Sequence, residues 1–208
     1  MTLAQSERAA LAELFRTLGP DQPTLCEGWD TKDLLVHLLV RERSPLGVVG
    51  GQVSLLRSFT EKAAADYAAR PWPELIDEYR SGPPFWNPMG WGKLDELSNG
   101  GEMFIHHEDA RRGQPDWQPR DYDAARAAEL DKMVASGWTK LMLRKSPVGV
   151  VAQLPDRTIT LKSGDPAVTL IGTAGEIILW SAGRTAVQVE LTGDEAAVST
   201  VAGLAKGF

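Results

Sequence analysis

The spacing of apolar residues changes its period near residue 145, and this change constrains the fold more than any other feature of the sequence. Up to about residue 144, apolar residues recur at helical spacing. Beyond it, short stretches rich in β-branched residues follow one another: 148–154, 158–161, 167–171 and 187–191. We therefore predict an α+β fold that is mainly α, with a helix bundle over residues 1–144 and a small α+β domain over residues 146–208.

The first part of the chain is patterned as a series of helices. Helical patterns cover residues 2–18, about 30–40, 53–70, 73–80, 93–112 and 121–144. Asp30 is a good N-cap for the second of these helices, which is apolar almost all round and is therefore expected to be buried on several sides. Residues 82–92 contain several proline, glycine and aromatic residues, so they predict a long loop that could act as a lid.

The composition of the 208-residue chain narrows the classes of function. Its formal net charge of −6 and the lack of a Lys/Arg-rich run argue against nucleic-acid binding. No apolar stretch reaches the roughly 18 residues of a membrane span, and no signal-peptide pattern is visible at the N-terminus. The single cysteine, Cys26, excludes an internal disulfide. These features predict a cytoplasmic protein that neither spans a membrane nor binds nucleic acid.

A metal site is suggested by two predicted helices that carry all three histidines of the chain; two of these histidines and one glutamate are the candidate ligands. Glu102 and His106 are four residues apart in one predicted helix, so their side chains share a face. His37 lies in the middle of the apolar second helix. Two imidazoles and one carboxylate suit zinc, and also iron, manganese or nickel, and three ligands leave one position open. Asn99 and Asp109 are candidates for orienting the ligands through hydrogen bonds.

Simpler interpretations of these residues remain open from spacing alone. His37 could be a hydrogen-bonded core histidine, and Glu102 with His106 could be an exposed stabilising pair. Cys26 could be a reactive thiol, although no cationic cluster precedes or follows it, which favours an inert buried residue. Neither a phosphate-binding glycine loop nor a Gly-x-Ser-x-Gly turn occurs in a suitable setting.

Three segments resemble a known family. Leu25-Cys-Glu-Gly-Trp29 and Asp33-Leu-Leu-Val-His37-Leu resemble the first motif of the mycothiol-dependent maleylpyruvate isomerase family. The segment from Asn99 to Arg112 is similar to the family's second metal motif, above all as found in an actinobacterial subgroup of metal-binding proteins. The segment from Gly172 to Leu191 is similar to the family's sterol-carrier-protein-like domain. They are distributed along the chain from Leu25 to Leu191, so the resemblance extends over nearly its whole length.

The resemblance implies a DinB-like four-helix bundle in which His37, Glu102 and His106 bind zinc. It further implies a mycothiol-type thiol as cosubstrate, deprotonated by the metal for attack on an electrophile. Trp29, Trp91 and Arg184 are candidates for binding the substrate, and a homodimer is an assembly compatible with the sequence. The predicted function is a zinc-dependent thiol transferase or isomerase. The alternatives are a metal- or ligand-binding protein without turnover and a scaffold that binds a partner.

Overall fold

The computed structural model describes residues 2–44 and 57–204, which divide into two compact units. One unit comprises residues 1–118 and the other residues 119–208. The first is helical and the second contains helices and a four-stranded sheet, so the prediction of a mainly helical α+β fold is confirmed. None of the described helices is both long enough and apolar enough to cross a membrane.

The helices of the N-terminal unit begin and end at residues whose chemistry explains the boundaries. They are α1 (Leu3–Leu18), α2 (Thr31–Arg43), α3 (Arg57–Ala68), α4 (Trp72–Arg80) and α5 (Lys93–Arg112). Thr2 and Asp30 form capping boxes at the starts of α1 and α2, where each side chain accepts a hydrogen bond from a backbone N–H three residues later. Gly19 ends α1 with a φ of 82°, a value that glycine adopts readily. The predicted start of α3 near Val53 lies outside the described residues.

The core of the N-terminal unit is built from α1, α2, α4 and α5. The apolar faces of these helices meet around Phe15, Leu35, Leu38, Tyr79 and Met103, all of which are fully buried. α1 packs along α5, while α2 contacts α3, α4 and α5. The apolar circumference of α2 predicted this central position, and it brings the middle of α2 close to the second half of α5.

Among its described residues, the C-terminal unit contains a four-stranded sheet and four helices, one of which is buried along its whole length. Its elements are α6 (Ala124–Ala135), α7 (Gly137–Met142), β1 (Gly149–Gln153), β2 (Thr158–Lys162), β3 (Ala167–Ile171), α8 (Ala174–Ser181), β4 (Glu190–Thr192) and α9 (Glu195–Ala202). The strand order is β2-β1-β3-β4, with β1 and β3 parallel and the outer pairs antiparallel. Every residue of α8 is buried, and α6 and α7 pack against it.

Two details of the C-terminal unit differ from the sequence prediction. The boundary between the compact units lies at residues 118 and 119 rather than near 145, because α6 packs against α8 and β2 of the C-terminal unit. The change of period therefore marks the start of the sheet, not the start of the unit. The helix predicted over 121–144 is two helices, because Ser136 ends α6 in an extended conformation and caps α7.

Candidate metal centre

The candidate site lies in the N-terminal unit, where α2 and α5 meet below the loop that joins α1 to α2. This loop is attached to the C-terminal half of α5 by backbone contacts. The N–H of Leu25 donates to the carbonyl of Asp109 (3.0 Å), and the side-chain amide of Gln114 donates to the carbonyl of Pro23 (3.0 Å). Gly113 permits this approach, since a Cβ there would lie 2.3 Å from the Pro23 carbonyl oxygen. The loop thus carries its own side chains onto the α5 surface.

The three predicted ligands converge. Ligand atoms of His37, Glu102 and His106 all lie within 4.8 Å of one another. The Nε2 atom of His106 is 3.5 Å from a Glu102 carboxylate oxygen, as expected for side chains one helical turn apart. The rings of His37 and His106 lie edge to face with centroids 5.3 Å apart. Two helices therefore present two imidazoles and one carboxylate to a common position.

Asp109 contacts the other nitrogen of the His106 ring. Its Oδ2 atom is 2.9 Å from Nδ1 of His106, and the carboxylate is fully buried. A carboxylate in this position fixes the orientation of an imidazole and keeps a proton on Nδ1, which leaves Nε2 to bind a metal. The structure thus puts Asp109 in the orienting position that its spacing from His106 suggested.

Asn99, the other residue expected to orient a ligand, is linked to Glu102 through Arg41. Its side chain accepts a hydrogen bond from Arg41 and donates to Asp95 (2.7 Å). Arg41 in turn lies 3.7 Å from the Glu102 carboxylate. Arg41 was not among the residues singled out from the sequence, although it lies four residues after His37 and so shares its face of α2. The sequence could have indicated it by that spacing.

Burial and neighbouring charges set the protonation of the three predicted ligands. Burial, followed by the nearby charge of His106, lowers the pKa of His37 to about 4, so its imidazole is neutral at pH 7. Burial raises the pKa of Glu102, but His106 and Arg41 outweigh it and lower the pKa to about 2. For His106, burial is outweighed by its contacts with Asp109, Cys26 and Glu102, which raise the pKa well above the usual value. A metal would therefore displace a proton from His106.

The three predicted substrate-binding residues, Trp29, Trp91 and Arg184, have different surroundings in the structure. The Trp29 ring lies against His37, with centroids 5.0 Å apart, and is 37% exposed. Trp91 lies in the 82–92 loop, where its indole N–H donates to the Phe85 carbonyl (2.7 Å). Arg184 follows α8 in the C-terminal unit, and its guanidinium donates to the Ala182 carbonyl (2.8 Å). The described contacts thus place Trp29 against a predicted ligand, His37.

Two further residues, Cys26 and His107, lie close to the predicted ligands in space or in sequence. Cys26 is half-buried, with its Sγ atom 3.3 Å from the Asp109 carboxylate and 4.0 Å from Nδ1 of His106. Its neighbours are thus the imidazole and carboxylate of a distant helix, which no local pattern indicates. His107 faces α1, where its Nδ1 atom is 2.6 Å from Glu7. The angle of about 100° between successive helical residues explains why His107 lies outside the ligand group.

A family model supports the resemblance found in the sequence. A solved structure described as the crystal structure of the mycothiol-dependent maleylpyruvate isomerase is 17% identical; the match covers 91% of this chain and 89% of that one, with a TM-score of 0.49. No curated protein matches the chain. Residues 4–84, which include His37 but neither Glu102 nor His106, match the family model described as the mycothiol maleylpyruvate isomerase N-terminal domain. The family resemblance is thereby confirmed for residues 4–84 of the chain.

Proposed function

We propose that the N-terminal unit binds one divalent metal ion, with zinc as the best candidate, through His37, Glu102 and His106. The observation that carries this proposal is the convergence of their three ligand atoms within 4.8 Å. The donor set fits, since two imidazoles and one carboxylate form a common set of ligands for catalytic zinc. Nickel, iron and manganese accept the same donors, so the choice among these metals is left to metal analysis.

The surroundings of the ligands favour a site that is organised before the metal arrives. Asp109 holds the His106 ring through Nδ1, while Arg41 faces the Glu102 carboxylate. Both contacts fix side chains that would otherwise rotate, and such contacts commonly contribute 10- to 100-fold to metal affinity. A stabilising i,i+4 pair on a helix surface would need neither the buried carboxylate behind His106 nor a histidine from a second helix.

We further propose that the protein uses this site as a thiol transferase or isomerase, with a thiol of the mycothiol type as cosubstrate. A divalent metal in this position supplies a Lewis acid that lowers the pKa of a bound thiol. Within the protein, Asp109 keeps the proton on Nδ1 of His106, and Glu102 supplies the single negative charge among the three ligands. The Trp29 indole forms an apolar wall beside His37 that can border the thiol or the electrophile.

The remaining substrate contacts stay proposals. Trp91 would contact the substrate from the 82–92 loop, and Arg184 would bind a carboxylate of the electrophile. Small molecules, rather than nucleic acid or a membrane, are the proposed partners, and we retain the homodimer and the cytoplasmic location as predictions.

The proposal is tested by comparing the zinc-loaded and the metal-stripped protein for thiol consumption and, because an isomerisation regenerates the thiol, also for thiol-dependent conversion of the electrophile. We expect the loaded protein to accelerate addition of a small thiol to at least one activated electrophile in a panel that includes maleylpyruvate. The stripped protein should be inactive and should recover activity when zinc is restored. If the loaded protein binds zinc but accelerates none of these reactions, the site belongs to a metal-binding protein without turnover.

A further inference from the structure

A second group of metal-binding atoms lies on the opposite edge of the His106 ring. It consists of the Cys26 thiol, Nδ1 of His106 and the Asp109 carboxylate, whose ligand atoms lie within 4.8 Å of one another. The separations are 3.3 Å from sulfur to the carboxylate, 2.9 Å from the carboxylate to the ring nitrogen and 4.0 Å from the ring nitrogen to sulfur. These three groups define the thiol cluster.

The thiol cluster is held in place by more than its own contacts. The N–H of Cys26 donates to the Thr24 hydroxyl (3.1 Å), and the preceding residue, Leu25, is hydrogen-bonded to the Asp109 carbonyl. Asp109 is fully buried and His106 is 8% exposed, while Cys26 is half-buried and marks the side of the cluster nearest solvent. The cluster therefore combines two rigid ligands on α5 with one ligand that solutes can approach.

We propose that the thiol cluster is a second position for a divalent metal, selective for thiophilic ions such as cadmium. Bonds of about 2.0–2.3 Å from a tetrahedral zinc ion to nitrogen, oxygen and sulfur place the donor atoms about 3.3–3.8 Å apart, and the larger cadmium ion places them slightly farther apart. The observed separations of 2.9, 3.3 and 4.0 Å require only small adjustments of these side chains. When the ion binds, the Cys26 thiol releases its proton to solvent and donates a sulfur lone pair, and the Nδ1 proton of His106 is also lost, so that the ring keeps a single proton on Nε2.

The two proposed metal positions differ in the charge and the softness of their ligands. The thiol cluster offers a thiolate and a carboxylate, which together balance a divalent charge. The group formed by His37, Glu102 and His106 offers one carboxylate, with the Arg41 guanidinium 3.7 Å from it. Thiolate ligands favour soft ions, whereas imidazole and carboxylate ligands suit harder ones. Cadmium should therefore prefer the thiol cluster, and manganese the other group.

The two positions compete because they share one imidazole. A neutral histidine carries a single ring proton, so a metal on Nε2 leaves the proton on Nδ1, facing Asp109. A metal on Nδ1 leaves it on Nε2, facing Glu102 at 3.5 Å. One ion per chain is expected, and its position depends on which metal is supplied. This competition, unlike the cluster itself, rests on the proposed use of His106 at the first position.

Cadmium titration of the metal-free full-length protein tests the proposal. Cys26 is the only cysteine of the chain, so a thiolate-to-cadmium charge-transfer band in the ultraviolet difference spectrum reports on this residue alone. We expect the band to saturate at about one equivalent of cadmium. It should be absent in Cys26→Ser and retained in His37→Ala, which keeps all three ligands of the cluster.

The Asp109→Asn variant distinguishes a metal site with three ligands from binding of cadmium by the Cys26 thiol alone. The band should then require at least about tenfold more cadmium, since a charged ligand has been replaced by a neutral one of the same size. Asp116→Asn, which alters an exposed aspartate of the same unit, serves as the matched control and should titrate like the unaltered protein. A band that is unchanged in Asp109→Asn would overturn the proposal.

The titration distinguishes failure of this inference from failure of the proposed function. If cadmium binds stoichiometrically without a charge-transfer band and His37→Ala abolishes binding, the thiol cluster is refuted and the first metal position stands. If zinc binding survives His37→Ala but is lost in Cys26→Ser, the thiol cluster stands and the proposed catalytic position is refuted.

Discussion

Replacing His37 or His107 by alanine should have different effects. The change at His37 should reduce zinc binding, and the change at His107 should reduce folding stability. Both histidines lie in the N-terminal unit, but His37 faces the other proposed ligands, whereas His107 pairs with Glu7 on α1. We expect His37→Ala to lose zinc while remaining folded, and His107→Ala to retain zinc affinity while losing stability. Opposite effects of the same chemical change cannot be explained by a general loss of structure.

The expected magnitudes follow from the contacts. Residues that only orient a ligand contribute about 10- to 100-fold to metal affinity, so loss of His37 itself should cost more than about 100-fold, or about 3 kcal/mol. His107→Ala removes the imidazole that lies 2.6 Å from the fully buried Glu7 carboxylate. Removing one partner of a buried hydrogen-bonded pair typically costs about 1–3 kcal/mol. A Glu7→Leu/His107→Leu double variant should recover much of this loss, because neither member of the pair is then buried without the other.

Two assays read out the comparison. Metal analysis after dialysis against a buffered range of free zinc gives the affinity, and urea unfolding of the metal-free proteins gives the free energy of unfolding. Equal loss of zinc in both single variants would refute the assignment of His37 as a ligand. Zinc binding by His37→Ala that equals that of the unaltered protein would refute it as well.

Three further predictions concern the same site. Cys26→Ser should retain metal-dependent thiol consumption with zinc, because the nucleophile is supplied by the cosubstrate; loss of all activity would mean that the protein's own thiol reacts. Glu102→Gln should lower zinc affinity, and an affinity equal to that of the unaltered protein would exclude Glu102 as a ligand. At saturating zinc, the rate of thiol consumption by this variant reports the effect of removing the only negative charge among the proposed ligands. The metal-free protein should become less stable as the pH falls from about 6.5 to about 4, because the unfolded chain protonates His37 in this range while burial keeps the folded-state pKa near 4. The loss is at most about 3 kcal/mol, and urea unfolding at several pH values should show it in the unaltered protein but not in His37→Gln.

The sequence predicted the elements of this fold well where local chemistry decides them. Capping residues such as Asp30 and the breaks at Gly19 fixed the helix boundaries, and the i,i+4 spacing placed Glu102 and His106 on one face. The approach of His37 to that face depends on the packing of α2 against α5, so the motif resemblance, rather than spacing, was needed to predict it. The boundary between the units was misplaced because α6 has the same helical period as the helices of the other unit.

Contacts that depend on the α1–α2 loop were beyond prediction from local pattern. Cys26 lies 80 residues from His106 in the sequence, and its position is fixed by backbone hydrogen bonds from the loop to the end of α5. Backbone contacts of this kind leave little trace in side-chain type, apart from the glycine at 113 that lets the loop approach. For this reason Cys26 appeared inert when only its sequence neighbours were considered.

The position of His106 explains why two helices and one loop suffice to build the site. Its Nε2 edge faces Glu102, and its Nδ1 edge faces Asp109 and Cys26, so one buried ring connects α5 to its surroundings on both sides. Any change that rotates this ring alters both edges together. His106→Gln should therefore abolish zinc binding and also remove the cadmium–thiolate band, whereas His37→Ala should affect only zinc. Zinc and cadmium titrations of His106→Gln and His37→Ala, carried out side by side, test this expectation. Retention of the cadmium band at unchanged affinity in His106→Gln would show that the ring does not link the two groups of ligands.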